Sequence, residues 1–111
     1  MPKDVLGEFE HHVLLATLRL GEGAYSTPIV LELERVTGRE VAPAAVYIAL
    51  RRLEETGLAS SELRPPAPGE GGRGRRYFHV TDQGLQLMRE SRRRFEALWN
   101  ELDMAPDGIW P

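Results

Sequence analysis

Five of the arginines fall into two short groups, Arg51 with Arg52 and Arg73 with Arg75 and Arg76. A guanidinium is a permanent positive charge carrying a fork of donors that matches phosphate oxygens, so two such groups on one surface would suit a polyanion backbone. Other chemistry has less to stand on. His11 and His12 are adjacent on a predicted helix and point in different directions, and His79 is far off in sequence, so no metal-ligand spacing is present. The stretch Gly69 to Gly74 lacks the lysine and hydroxyl of a nucleotide-binding loop. Glu54 and Glu55 sit in a charged helix with no pocket to anchor general acid/base work. With no cysteine there is no thiol nucleophile, no thiolate metal site and no disulfide frame. The sequence nominates no catalytic residue, no metal and no cofactor, and an enzyme is the weakest class.

The chain has 111 residues, 41% hydrophobic and 28% charged, which fits one soluble globular domain. A domain of this size buries a modest share of its surface, so a second copy covering more apolar area is expected. No apolar run is long enough for a membrane span, and a full-length cytoplasmic protein is the expectation. The net charge of -3 argues against an indiscriminate polyanion binder, but the charges are unevenly placed. Residues 51–94 carry ten arginines against six acids, whereas residues 1–50 carry four bases against seven acids. A local basic surface can face phosphates on a slightly acidic protein.

The elements that must position these groups follow from periodicity and punctuation. Leu6, Phe9, Val13, Ala16 and Leu20 recur at helical spacing, with Leu14, Leu15 and Leu18 widening the stripe. Thr27 and Pro28 are read as cap and first residue of a second helix to about Val36, with Ile29, Leu33 and Val36 on one face. A third helix runs from Pro43 to Glu55, with Val46, Leu50 and Leu53 inward and Ala44, Ile48 and Arg51 on the opposite side. A strand is predicted over Leu58–Leu63 and a return strand over Tyr77–Val80. Between them, Arg64 to Gly72 is too rich in proline and glycine for a regular element. Thr81 caps a last helix, along which Met88, Phe95 and Leu102 are seven apart and Ser91 and Leu98 interleave as a heptad seam.

Three helices, a two-stranded wing and a long seam-bearing helix are the order of a winged helix-turn-helix followed by a dimerisation helix. The fold class is thus mainly α with a small β wing. Residues 1–80 form the DNA-binding part, 81–102 the dimerisation helix packed with helix one, and 103–111 a tail. The third helix would offer Pro43, Ala44, Ala45 and Ile48 to the major groove, with Tyr47, Arg51 and Arg52 at the flanking phosphates. Arg73, Arg75 and Arg76 would reach the backbone or the minor groove. Phe9, Val13, Met88, Ser91, Phe95, Leu98, Trp99 and Leu102 would join two copies. Plainer readings stand beside these: Tyr47 as a ring wedged between helices, the arginines as solvated surface, and the seam folded back on the first helix. Phe9, Leu98 and Trp99 could line an apolar cavity or belong to the core. A winged protein-interaction module without specific DNA binding is the alternative function.

The chain also resembles the PadR family of bacterial transcriptional regulators. The resemblance rests on Leu6-Gly7-Glu8-Phe9-Glu10, Val46-Tyr47, Leu50-Arg51-Arg52-Leu53-Glu54-Glu55-Thr56-Gly57-Leu58, Gly74-Arg75-Arg76-Tyr77-Phe78 and Val80-Thr81-Asp82-Gln83-Gly84, in family order. It implies a homodimeric repressor on double-stranded DNA, Pro43–Arg52 as recognition helix, Tyr47 near the DNA, and in some members relief by a small-molecule effector near the dimer interface. Where the family commonly has histidine-glycine-tyrosine before helix two, this chain has Gly23-Ala24-Tyr25-Ser26. Its recognition helix carries few hydrogen-bonding side chains, which shifts readout toward shape and phosphate contacts. The single carboxy-terminal helix favours a minimal dimer.

Overall fold

The computed structural model describes residues 5–102, so the expected tail at 103–111 lies outside the described residues. The order is α1 (Glu8–Leu20), a short 3-10 turn (Gly21–Gly23), α2 (Ser26–Thr37), α3 (Pro43–Glu55), β1 (Ala59–Arg64), β2 (Arg75–Val80) and α4 (Asp82–Trp99). None of the described helices is long and apolar enough to cross a membrane.

Helices α1, α2 and α3 bury their apolar stripes against one another and against Phe78 of β2. The stripe of α3 is as expected, with Val46, Leu50 and Leu53 buried and Ala49 beside them. Other stripes are displaced. Phe9, Leu15 and Leu18 are exposed, and Leu6 enters the core from extended chain before α1 begins. In α2 the buried set is Ile29, Val30 and Leu33, while Val36 is exposed.

The expected start of α2 is corrected. The helix opens at Ser26 with Tyr25 as the flanking residue and no side-chain cap, so Thr27 and Pro28 lie inside its first turn. The Ile29 N–H donates to the Tyr25 carbonyl at 3.2 Å. Proline is tolerated just before it because the first N–H groups of a helix have no intrahelical partner. Glu32 then ties α2 to α1, accepting from Arg19 at 2.6 Å and from Arg35 at 2.7 Å. These hydrogen bonds, Arg35 first, hold the Glu32 carboxyl down to about 2.

The strands pair antiparallel from Ala59 with Val80 to Arg64 with Arg75. The sheet therefore extends further toward the tip than expected, and Arg75 and Arg76 lie on β2, not in the loop. Placing Arg64 opposite Arg75 would ordinarily be repulsive; the groups that relieve it are described below. The Phe78 N–H also donates to the Ala24 carbonyl at 2.8 Å, stitching β2 to the segment before α2.

The wing and α4 meet at Thr81. Its hydroxyl donates to the Gly57 carbonyl at 2.7 Å and accepts from the Gly84 N–H at 3.0 Å, the cap foreseen for this residue. Gly84 packs so closely on β1 that an added Cβ would lie 2.2 Å from the Leu58 carbonyl oxygen. Only Gly84, Leu87 and Met88 of α4 are buried. The helix stops at Trp99, so Leu102, expected within it, lies beyond its end.

Gly84→Ala is expected to destabilise the protein by about 1–3 kcal/mol through overpacking, measured as a denaturation midpoint; an unchanged midpoint would mean that α4 can back away from Leu58. Glu32 contributes stability that is present above its unfolded value of about 4.5 and is lost as pH falls toward about 2. In Glu32→Gln the stability-versus-pH curve is expected to be flatter over that acid window, as read by urea titrations at successive pH values.

Candidate nucleic-acid interface

Because α3 buries one stripe completely, its other side is forced outward. Pro43, Ala44, Ala45, Arg51 and Arg52 are all exposed, as are Tyr47 at 48% and Ile48 at 54%. Tyr47 is thus no interhelical wedge. An isoleucine half in water between small residues and arginines is an apolar contact surface flanked by fixed charge. The turn before it is held by Glu34, whose carboxylate accepts from the Val41 N–H at 2.9 Å and so ties the α2–α3 connection to α2.

The three wing arginines do not form one cluster. Arg73 is exposed in the loop between the strands. Arg76 lies on the α3 side of β2 and donates to the Ser61 hydroxyl at 3.0 Å, and Ser61 donates in turn to Glu54 of α3 at 2.5 Å. This serine links the wing to the last turn of α3, so Arg76 and Arg51–Arg52 belong to connected elements. Arg75 points to the opposite face, where its guanidinium lies over the Tyr25 ring, 4.8 Å from the centroid.

That second face carries residues the sequence reading passed over. Tyr25 meets Tyr77 edge-on at 5.3 Å, and Arg64 stacks over Tyr77 at 4.2 Å. Arg64 is also paired with Glu62 at 2.7 Å and with Glu22 at 3.2 Å. Arg64 first and then His79 hold the Glu62 carboxyl below its ordinary range, and Glu62 in turn raises Arg64. The like charges on paired Arg64 and Arg75 are thereby separated, one taken by carboxylates and the other by a ring face. The alternation Arg75, Tyr77, His79 and Glu62, Arg64 was the available signal, whereas the reach from Arg64 to Glu22 has no local signature. Gly74 permits the tight exit of the loop, since a Cβ there would lie 2.4 Å from the Arg64 carbonyl oxygen.

The residues expected at a dimer contact divide. Val13 and Met88 lie in the protomer's own core, which removes them from the side chains free to touch a second copy. Their place on the stripe that faces α1 to α3, and not the outer face, is the physical reason. Phe95 at 63%, Leu98 at 76% and Trp99 at 47% are exposed, with Phe95 and Trp99 edge-to-face at 6.5 Å. Phe9 is exposed on α1. Ser91, Arg92 and Phe95 of α4 and Leu6, Glu8, His11, His12 and Leu15 from the α1 side line an open cavity of about 500 Å³. Leu98, Trp99 and Phe9 are neither among its lining nor in the core. Burial and then His12 push His11 down from its ordinary value. Among the described residues no group of three or more histidines and carboxylates is arranged to hold a metal ion.

Residues 14–90 match the sequence profile of the Transcriptional regulator PadR-like family, well over half of the chain. The chain is 38% identical over 65 residues to the transcriptional regulator Rv3488 of Mycobacterium tuberculosis, a stretch spanning 59% of this chain and 57% of that protein. Among solved structures it is similar to a PadR family transcriptional regulator from Eggerthella lenta, with a TM-score of 0.67, 29% identity, and coverage of 86% of this chain and 80% of that one. A PadR-like transcriptional regulator from Bacillus cereus shares the fold, with a TM-score of 0.71 at 21% identity over 90% of this chain and 92% of that one. The three helices, the two-stranded wing and the trailing helix are thus an architecture shared with these regulators, and the chain belongs to the PadR-like family of transcriptional regulators.

Proposed function

We propose that the protein is a cytoplasmic homodimeric repressor that binds an inverted repeat in double-stranded DNA. The observation that carries this reading is the outward face of α3, where half-exposed Ile48 stands between exposed alanines and arginines while the opposite stripe is fully buried. The small groups at the start of α3 allow close approach to base edges, and Ile48 suits the thymine methyl. Arg51, Arg52, Arg73, Arg75 and Arg76 supply phosphate contacts, which position the protein without reading sequence. Residues 1–80 act as the reading domain.

Pairing is supported by the far end of α4, where Phe95, Leu98 and Trp99 are exposed and edge a helix whose only buried side chains lie in its first half. Ser91 lies at the margin of this surface with Phe95, while Phe9 of α1 lines a separate hollow with Leu33, Thr37 and Val41. Joined in this way about a two-fold axis, the two α3 helices would meet successive major grooves about 34–36 Å apart. The cavity between α1 and α4 lies next to that surface and is the place to look for a small-molecule effector.

Anisotropy titrations against the DNA upstream of its own gene and a scrambled duplex are expected to give tighter binding to the first, with a steep salt dependence. Arg76→Ala is expected to weaken both and to lower the log–log salt slope by about 1.8, roughly 0.9 for each of the two copies. Ile48→Ala should alter preference among sequences at nearly constant slope. A folded protein that binds neither duplex would favour a protein-interaction role for the α3 face. Phe95→Glu with Leu98→Glu is expected to convert a sedimenting dimer to a monomer; persistence of the dimer would defeat the α4 assignment.

A further inference from the structure

The stack on the outer face of the wing has a use beyond strand pairing. We propose that Tyr25 is a positioning residue for DNA binding: its ring holds the guanidinium of Arg75 face-on, so that the donors Tyr77 does not engage can meet a duplex phosphate. The inference rests on the DNA-binding reading above and deepens it.

A long arginine side chain free in solvent must be ordered before it can meet a phosphate, and that ordering opposes binding. Stacking on a ring removes the freedom in advance while using the face of the guanidinium, not its hydrogen-bonding edge. Tyr25 is a firm support because it is the residue on which α2 begins, its carbonyl accepting from Ile29, and Tyr77 braces its ring from β2. The neighbouring Ala24 carbonyl accepts from Phe78 at 2.8 Å, so ring and strand are fixed to each other by backbone.

Arg64 provides the internal contrast. It stacks on Tyr77 in the same manner, but Glu62 and Glu22 occupy its donor edge at 2.7 and 3.2 Å. Its charge is met by two carboxylates at close range, whereas Arg75 is in none of these ion pairs: its hydrogen-bond partner is the neutral Tyr77 side chain, and Glu70 acts on it only through its charge. One arginine braces the ladder and the other is presented by it.

The test is a double-mutant cycle on DNA affinity with Tyr25→Leu and Arg75→Ala, folding being checked by thermal midpoint. Tyr25→Leu is expected to weaken binding about three- to fivefold with Arg75 present, and to have no further effect once Arg75 is alanine. Tyr25→Phe, which keeps the ring, should restore the loss. Equal losses in both backgrounds, or none in either, would overturn the proposal. The wild type supplies an independent reading by NMR: the Arg75 Hε resonance should be shifted upfield by the Tyr25 ring current. A position typical of free arginine would overturn the proposal without any variant that might unfold. Salt-dependent binding by the wild type with a silent Tyr25→Leu would sink this inference alone. Absence of binding to any duplex, with the ring-current shift intact, would sink the DNA-binding reading and this role with it.

Discussion

At Thr81 one hydroxyl donates to the end of the α3–β1 turn and accepts from the first turn of α4. The adjoining Thr81 N–H donates to the Leu58 carbonyl, and Gly84 lies against that same carbonyl. Four backbone and side-chain groups thus close on a few ångströms where the reading helix ends, the wing starts and returns, and the last helix departs. This junction sets the direction in which α4 leaves α3 and the wing. Any geometry that depends on two reading helices being a fixed distance apart passes through this point.

The charge pattern has a similar economy. Glu32 gathers Arg19 and Arg35, and Glu22 and Glu62 gather Arg64, all away from the α3 face. These exposed pairs add little stability individually, but they leave fewer carboxylates without a cationic partner, those on the Arg75 side of the wing included. Glu54 of α3 is held by Ser61, which Arg76 also contacts. A net negative chain can therefore offer a basic edge because much of its acidity is engaged elsewhere.

What was legible in the sequence was what short-range physics determines. The inward stripe of α3, its proline start and the Thr81 cap all depend on residues within a turn or two, and each is present as expected. Pattern failed where a distant partner decides. Thr27 and Pro28 looked like a helix start, but β2 pairs with Ala24 and fixes the chain so that α2 begins at Ser26. Met88 fitted a heptad because it does lie on an apolar stripe, yet the early part of that stripe faces the protomer's own core. Tyr25 gave no sign of its contact with Arg75, since nothing in residues 23–26 announces an arginine from residue 75.

The uneven burial of α4 divides the chain into regions under different constraint. Residues 84–88 are held by the core, and substitutions there disturb everything that Thr81 and Leu58 organise. From residue 92 to the end of α4 every side chain is exposed in the protomer, so substitutions there leave the reading domain's folding intact. The apolar end of α4 is thus free to drift in sequence while the exposed face of α3 stays the same, so the two surfaces of one small chain can diverge at different rates.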